Sequence, residues 1–289
     1  MKKRVFALFT AMFLLCGMLA GCGPTGSSST TTDGSDDGAK DTLIVAIPES
    51  PTYMDPMVQA SIGTYRVTTQ MFDRLVMMDN DMNLVPGLAE SWEVIDDTTT
   101  VFHLRQGVTF HNGEPFNAEA VKTNLEHKQS NPSFYSLKGI TDIQEIEVVD
   151  EYTITLHYDH PFYAYLQDFC WPDVNPMSAP EYIIPGDFQT ISGVAGTGPY
   201  IYDEYVAGEY TRFVRNEDYW GETPYWDEII VKYIPDSTSR LQALQTGEID
   251  MIYGGTLLTY EEYDQALAMD GIDGQMAEKD TRVQVITTN

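Results

Sequence analysis

Cysteine is scarce in this sequence, and its three cysteines do not make a disulfide framework. Cys16 lies in an apolar N-terminal stretch and Cys22 follows it, so Cys170 is the single thiol of the remaining chain. A fold held together by internal disulfides is therefore excluded. Because Cys170 stands between Phe169 and Trp171, we interpret it as a small buried hydrophobic residue rather than as a nucleophile.

Basic residues are also few, with 16 Lys and Arg against 44 Asp and Glu, and the formal net charge is -28. Nucleic-acid partners are excluded, since proteins bind the phosphate backbone by neutralising it with Lys and Arg. The acids are dispersed, so we interpret them as a solvated surface. We predict no metal site and no cofactor, because His157 and His160 lie at a strand end and a turn, where they do not form a metal pair.

Catalytic signatures are missing as well. The chain contains no Gly-x-Ser-x-Gly, no His-Glu-x-x-His and no Ser-x-x-Lys motif. Paired carboxylates also serve as catalytic groups, but 44 acidic residues make chance pairs inevitable. We therefore predict no catalytic residues and no enzymatic activity, with a secreted hydrolase as the alternative.

Long hydrophobic runs are limited to residues 5–19, a stretch too short to cross a bilayer comfortably. Three basic residues precede it, and residues 19–22 read Leu-Ala-Gly-Cys, which resembles a bacterial lipobox. We expect residues 1–21 to be a lipoprotein signal peptide, Cys22 to carry the lipid, and the protein to lie at the outer face of the cytoplasmic membrane. Residues 22–41 are rich in Gly, Ser, Thr and Asp, and this composition predicts a flexible linker.

The body of the chain alternates between strand and helix patterns, which predicts an α/β (mixed α+β) fold. Helices are expected at residues 61–76, after the N-cap residue Asn117, and between Asp236 and Gly247. The strand, helix, strand order over residues 229–253 predicts that part of the sheet is parallel. Strands are expected at residues 42–47, 99–104, 143–149, 152–158, 212–215, 229–234 and 249–253.

Several sequence blocks then follow in a fixed order. They are Leu-Ala-Glu-Ser-Trp at 88–92, Gly-Val-Thr-Phe-His-Asn-Gly-Glu-Pro-Phe-Asn-Ala-Glu-Ala-Val at 107–121, Gly-Thr-Gly-Pro-Tyr at 196–200, Asn-Glu-Asp-Tyr-Trp-Gly at 216–221 and Gly-Glu-Ile-Asp at 247–250. In this order and spacing they resemble the signature of the family-5 bacterial solute-binding proteins, which serve peptide and nickel importers. The resemblance covers nearly all of residues 42–289, and residues 247–254 are most similar to the nickel-transport branch.

The resemblance implies a type II periplasmic-binding-protein-like fold, in which two lobes close over a ligand. Residues 42–60 and 192–280 would form the core of the first lobe, residues 61–191 its inserted subdomain, and residues 281–289 the first hinge strand. Family members are about twice as long, so we expect a truncated copy whose second lobe is missing. A single lobe offers about half the contacts with the ligand and is expected to bind it poorly.

The function implied by the resemblance is that of the extracytoplasmic substrate-binding component of an ABC importer for peptides or nickel complexes. Its partners would be an oligopeptide or nickel-chelate ligand, the ABC permease and ATPase subunits, and the membrane through the lipid anchor, with the protein itself a monomer. A peptide-signal receptor lipoprotein of the same fold is the alternative.

Candidate ligand residues come from comparison with nickel-binding relatives, whose arginines grip the carboxylates of a metal chelate. One such arginine follows a proline, and at that position this chain has Asp173 after Pro172. A carboxylate there favours an amine on the ligand, although Asp173 also suits a turn. Tyr65 aligns with a cleft-facing position of the family and Trp171 neighbours Asp173. The alternative for both aromatic residues is core packing.

Overall fold

A larger β-sheet of seven strands, a smaller one of four strands and a separate two-stranded ribbon, with helices packed against the sheets, make up the part of the chain that the structure describes. The structure is a computed structural model and describes residues 41–51, 53–55, 62–79, 81–161, 164–170, 175–187, 193–254, 258–276 and 283–287. Lys40–Asn289 form one compact unit. Within the described ranges, every helix is too short or too polar to span a bilayer.

The strands and helices follow one another along the whole body of the chain. The strands are β1 Thr42–Ile47, β2 Val76–Met78, β3 Leu84–Pro86, β4 Ala89–Asp96, β5 Thr99–Leu104, β6 Ile143–Asp150, β7 Thr153–Tyr158, β8 Tyr200–Val206, β9 Tyr210–Arg215, β10 Glu228–Tyr233, β11 Met251–Ile252, β12 Ile272–Met276 and β13 Val283–Thr287. The helices are α1 Ile62–Thr68, α2 Ala118–Ser130, α3 Lys138–Thr141, α4 Tyr165–Asp168, α5 Ser237–Gln245 and α6 Tyr260–Leu267, with short 3-10 helices at Pro132–Phe134 and Pro180–Tyr182.

The larger sheet has the strand order β12-β13-β11-β1-β10-β9-β8 among the described residues. Strand β1 runs parallel to both of its neighbours, β10 and β11, whereas the other pairs are antiparallel. Helix α5 links β10 to β11, so the parallel pairing predicted for this stretch is confirmed. Side chains alternate between the faces of a strand, so Val45 and Ile47 face α1 while Ile44 and Ala46 face α5 and α6.

The smaller sheet is antiparallel, in the order β4-β5-β7-β6. Helix α2 packs on it and begins where predicted, since the Asn117 side chain accepts a hydrogen bond from the Ala120 N–H at 3.0 Å. The buried cluster beneath includes Phe102, Leu125 and Leu156. The division into a core (residues 42–60 and 192–280) and an inserted subdomain stays a prediction, although β1 and β8 to β13 form one sheet and β4 to β7 the other.

The helix predicted over residues 61–76 is wrong in its length. Helix α1 ends at Thr68, and strand β2 begins where the predicted helix was to end. The Met71 N–H bonds to the Thr68 carbonyl, and the Met71 carbonyl accepts a hydrogen bond from the Gly198 N–H at 2.8 Å. The Met71 carbonyl therefore bonds to a distant segment instead of to the next turn of a continuing helix. The local spacing of apolar residues does not indicate this long-range hydrogen bond. The strand expected at 249–253 is also shorter, covering only β11.

The Gly-Thr-Gly-Pro-Tyr block at residues 196–200 forms a tight corner of the backbone. A Cβ atom on Gly196 would lie 2.1 Å from the Met71 carbonyl oxygen, and one on Gly198 would lie 2.5 Å from the Met71 carbonyl carbon. The His111 N–H donates to the Gly196 carbonyl at 2.8 Å, and the His111 ring Nε2 lies 2.9 Å from the Gly198 carbonyl oxygen. Glycine is required here because two backbones meet with no space for a side chain.

A buried carboxylate, Asp73, joins this corner to the Asn-Glu-Asp-Tyr-Trp-Gly block. Its oxygens accept hydrogen bonds from Trp220 Nε1 at 2.7 Å, Thr197 Oγ1 at 3.1 Å and Tyr219 Oη at 3.4 Å. Burial raises the pKa of Asp73, and the hydrogen bonds from these side chains and the charge of Arg74 oppose that rise. The blocks at residues 196–200 and 216–221 therefore have a structural role in holding these segments together.

Candidate functional site

A cavity of about 270 Å³ lies between helix α1 and one face of the larger sheet. Its floor is aliphatic because alternate residues of β1 and β10 point to this face. Val67 of helix α1 and Met71, which follows the helix, are fully buried against the sheet and hold α1 above the floor. The lining residues are Leu43, Val45, Ile47, Arg66, Gln70, Ile229, Val231, Met251 and Tyr253.

Arg66 is the one charged residue of this lining. Its Nε atom is shielded from solvent and has no hydrogen-bond acceptor. Gly254 makes room for the guanidinium: its φ is +123°, and a Cβ there would lie 2.9 Å from Arg66 Cζ, 3.0 Å from Nε and 3.3 Å from Nη1. Because these three atoms are nearly equidistant from that point, the face of the guanidinium plane is turned toward the position that a Cβ of Gly254 would occupy.

The other arginines of the described chain have partners that Arg66 lacks. Arg212 and Arg215 are paired with carboxylates. Arg74, Arg105 and Arg240 donate to backbone carbonyls. Arg66 makes no hydrogen bond or ion pair with any described residue, in a chain that has 44 acidic side chains to offer. An arginine left without an anion beside aliphatic walls is chemically suited to a ligand that supplies the anion.

Two tyrosines, Tyr65 and Tyr253, lie near the same arginine. Burial raises the pKa of Tyr253, the neighbouring Tyr65 raises it further, and the charge of Arg66 lowers it. Tyr65, one of the predicted ligand residues, precedes Arg66 on α1 and is partly buried. The structure therefore brings Tyr65 into the electrostatic neighbourhood of Tyr253 and Arg66, beside the cavity.

The remaining predicted site residues lie outside the described residues: Trp171, Asp173 and the predicted lipidation site Cys22. Sequence reasoning missed Arg66. The available signal was its position next to Tyr65 in a chain with few basic residues, but only the tertiary structure shows that no described acidic residue pairs with it.

Residues considered for metal binding or nucleophilic chemistry have ordinary surroundings. His157 Nε2 lies 3.3 Å from Glu147 Oε2 at the surface, and His160 contacts Asp142 and Asp159. No group of three or more metal-ligating side chains occurs within the described ranges. Burial raises the pKa of the Cys170 thiol, and Cys170 Sγ donates to the Gln167 carbonyl, as suits a buried structural cysteine.

Comparison with solved structures gives the class of protein that has this fold. The chain is similar to NikA from Brucella suis in complex with Fe(III)-EDTA, with a TM-score of 0.75 and 31% identity over 82% of this chain and 48% of that one. It is also similar to the periplasmic binding protein DppA from Helicobacter pylori in complex with the peptide STSA, with a TM-score of 0.71 and 25% identity over 81% and 50% of the two chains. The fold is thus that of the periplasmic binding proteins.

The sequence gives the family within that class. Residues 83–289 match the bacterial extracellular solute-binding proteins, family 5 Middle, and the chain belongs to this family. The nickel-binding periplasmic protein of Escherichia coli is 34% identical over 194 residues, which are 64% of this chain and 36% of that protein. The chain therefore spans about half the length of its relatives or less.

Proposed function

We propose that this chain is the extracytoplasmic solute-binding component of an ABC importer for short peptides or nickel complexes. The observation that carries the proposal is the family match over residues 83–289 together with a cavity whose arginine has no anionic partner among the residues that the structure describes. The names of similar proteins support both ligand classes, one binding nickel and another a peptide. The protein would deliver the ligand to a membrane permease that works with ATPase subunits, and we propose that it acts as a monomer without catalytic activity or a cofactor.

The proposed location is the outer face of the cytoplasmic membrane, with lipid on Cys22 as the anchor and residues 23–41 as the tether. The predicted lipobox at residues 19–22 supports the anchor. A tethered binding protein stays near its permease, which raises the effective concentration of loaded protein at the transporter.

We further propose that Asp173 pairs with an amine of the ligand and that Tyr65 and Trp171 line the pocket. A charge-assisted contact of this kind contributes about 1.5–3 kcal/mol, so its loss weakens binding roughly tenfold to a hundredfold. Equilibrium binding of the dipeptide Ala-Leu and of nickel–histidine, measured by calorimetry, tests the proposal. We expect the wild-type chain to bind at least one of them weakly and Asp173→Asn to bind it more weakly still.

Equal affinities of the wild type and Asp173→Asn for every ligand that binds would reduce Asp173 to a turn residue. Pairing at Asp173 with an amine predicts, in addition, that acetylation of the peptide's amino group weakens binding to the wild type and has no effect on Asp173→Asn. That double comparison separates loss of the charge pair from a general disturbance of the loop.

A further inference from the structure

We propose that the Arg66 cavity binds the C-terminal residue of a short peptide, with the carboxylate on the Arg66 guanidinium and an aliphatic side chain against the sheet. This inference rests on the proposed function for the class of ligand. It assigns the carboxylate to a residue on α1 that the sequence comparison did not single out.

The charge of the cavity favours an anion. Among the described residues that line it, Arg66 is the one cation and none is a carboxylate. The Nε atom of Arg66 is shielded from water and has no hydrogen-bond acceptor. Burial of a charged group in this way costs free energy unless a partner accepts its hydrogen bonds. A carboxylate is the matching partner, since a guanidinium fork donates two parallel hydrogen bonds to its two oxygens.

The remaining lining favours an aliphatic side chain next to that carboxylate. Leu43, Val45, Ile229 and Val231 supply branched aliphatic surface, and Met251 closes the side toward β11. A ligand with several carboxylates, such as a metal chelate, would bury against these aliphatic residues negative charges that the single Arg66 cannot pair. One carboxylate beside one apolar side chain matches the lining, and the C-terminal residue of a peptide has this form.

The size of the cavity limits the ligand to about one residue there. Its volume of about 270 Å³ is below the range of roughly 300–1,000 Å³ that is typical of pockets for whole drug-sized ligands. The rest of a peptide therefore has to extend beyond the cavity. A ligand whose amine lies away from its carboxylate is compatible with the separate amine contact proposed for Asp173.

The geometry around Gly254 explains how Arg66 is kept ready for such a ligand. The guanidinium plane lies against the backbone of Gly254, whose positive φ and missing Cβ leave space for it. Stacking of this kind orients the fork without using its hydrogen-bond donors. A lysine at the same position would keep the charge but lose both the stacking and the paired donors.

The test uses the ¹⁵N-labelled chain and follows the Nε–Hε resonance of Arg66 by NMR, assigned through its loss in Arg66→Gln. The probes are Ala-Leu, its C-terminal amide, and Ala-Glu, each titrated to about 10 mM so that a millimolar dissociation constant is detected. The matched control is Arg212→Gln. Arg212 lies on the opposite face of the same sheet. It pairs in register with Ile230, whereas the cavity is lined by the neighbouring residues Ile229 and Val231.

We expect Ala-Leu to shift the Arg66 resonance and to bind at least about tenfold more tightly than the amide or Ala-Glu. The preference for the acid over the amide should vanish in Arg66→Gln, fall in Arg66→Lys and persist in Arg212→Gln. Arg66 makes no hydrogen bond to a described residue, so Arg66→Gln is expected to keep the wild-type amide spectrum.

Three results overturn the inference. If Ala-Leu and its amide bind equally well, or if folded Arg66→Gln binds Ala-Leu as tightly as the wild type does, Arg66 does not bind the carboxylate. The importer role would still stand if any peptide or nickel–histidine binds. Absence of binding by every probe also overturns it, and uptake measurements on cells lacking the gene then decide separately whether the importer role survives.

Discussion

A fully buried lysine, Lys128 on helix α2, should make the stability of this protein depend on pH in the neutral to alkaline range. Its side chain is 0% exposed. Its Nζ donates to Asn175 Oδ1 at 3.1 Å and to the Pro176 carbonyl at 2.6 Å. One turn earlier, the Asn124 side chain donates a hydrogen bond to the Ser178 carbonyl and accepts one from the Ser178 N–H. Two side chains of α2 are therefore bonded to the segment 175–178.

The magnitude follows from the pKa of Lys128. Burial lowers this pKa from 10.5 to about 7, and the charge of Asp55 opposes the shift. Each pKa unit corresponds to about 1.4 kcal/mol, so keeping the ammonium in the native state disfavours folding by about 5 kcal/mol at low pH. Between pH 7 and 10.5 the unfolded chain binds a proton that the native chain lacks, so stability rises with pH there. From pH 7 to pH 9 the gain is about 2 kcal/mol.

The perturbation is Lys128→Met, which fills a similar volume and carries no proton. It leaves the Asn175 and Pro176 oxygens without their donor, at about 1–3 kcal/mol each, while removing the penalty of the buried charge. We therefore expect the variant to be similar to the wild type in stability near pH 7 and less stable than it at pH 9.

The assay is urea unfolding at several pH values from 7 to 9, with the free energy of unfolding compared between variants. This window avoids His127, whose pKa is lowered from 6.5 by burial and by Lys128. The control is Lys122→Met, which removes a partly exposed lysine from the same helix. If Lys128→Met and the wild type gain equal stability between pH 7 and pH 9, the buried ammonium is not linked to folding and the reasoning is refuted.

Other contacts give further predictions. Asp73→Ala leaves the Trp220 N–H without its acceptor and should lower the free energy of unfolding by about 2–4 kcal/mol; an equal chemical denaturation midpoint would contradict the role of Asp73. Gly196→Ala should destabilise the protein more than Gly208→Ala. The new Cβ at position 196 would lie 2.1 Å from a backbone oxygen, whereas the Cβ at position 208 would meet open space and suffer only from the φ of +75°. Thermal unfolding of both variants tests this order. Labelled palmitate should be incorporated into the wild type and not into Cys22→Ser, and persistence of the label would rule out the anchor.

The sequence allowed much of the local structure to be predicted. Strands β1 and β5 match their predicted bounds, and Asn117 caps α2, because alternation and capping chemistry are encoded within a few residues. Helix α1 was predicted too long because the Met71 carbonyl bonds to the distant Gly198, a contact that no local pattern specifies.

The candidate site was less accessible from sequence. Tyr65 was reached through family resemblance and lies beside the cavity, but Arg66 drew no attention, although it is the next residue. Arg66 is distinguished by the absence of an ion pair with any described acidic residue and by the approach of Gly254, and both are properties of the tertiary structure. A sequence shows which charges exist, whereas only packing shows which of them lack a partner.

Uptake by the bacterium that encodes this chain tests the importer role most directly. Cells lacking the gene would be compared with the parent for accumulation of radiolabelled Ala-Leu and of radioactive nickel with histidine, and the gene would be restored in trans. The account predicts that accumulation of at least one of the two falls and that the restored gene recovers it. Unchanged accumulation of both would contradict the account.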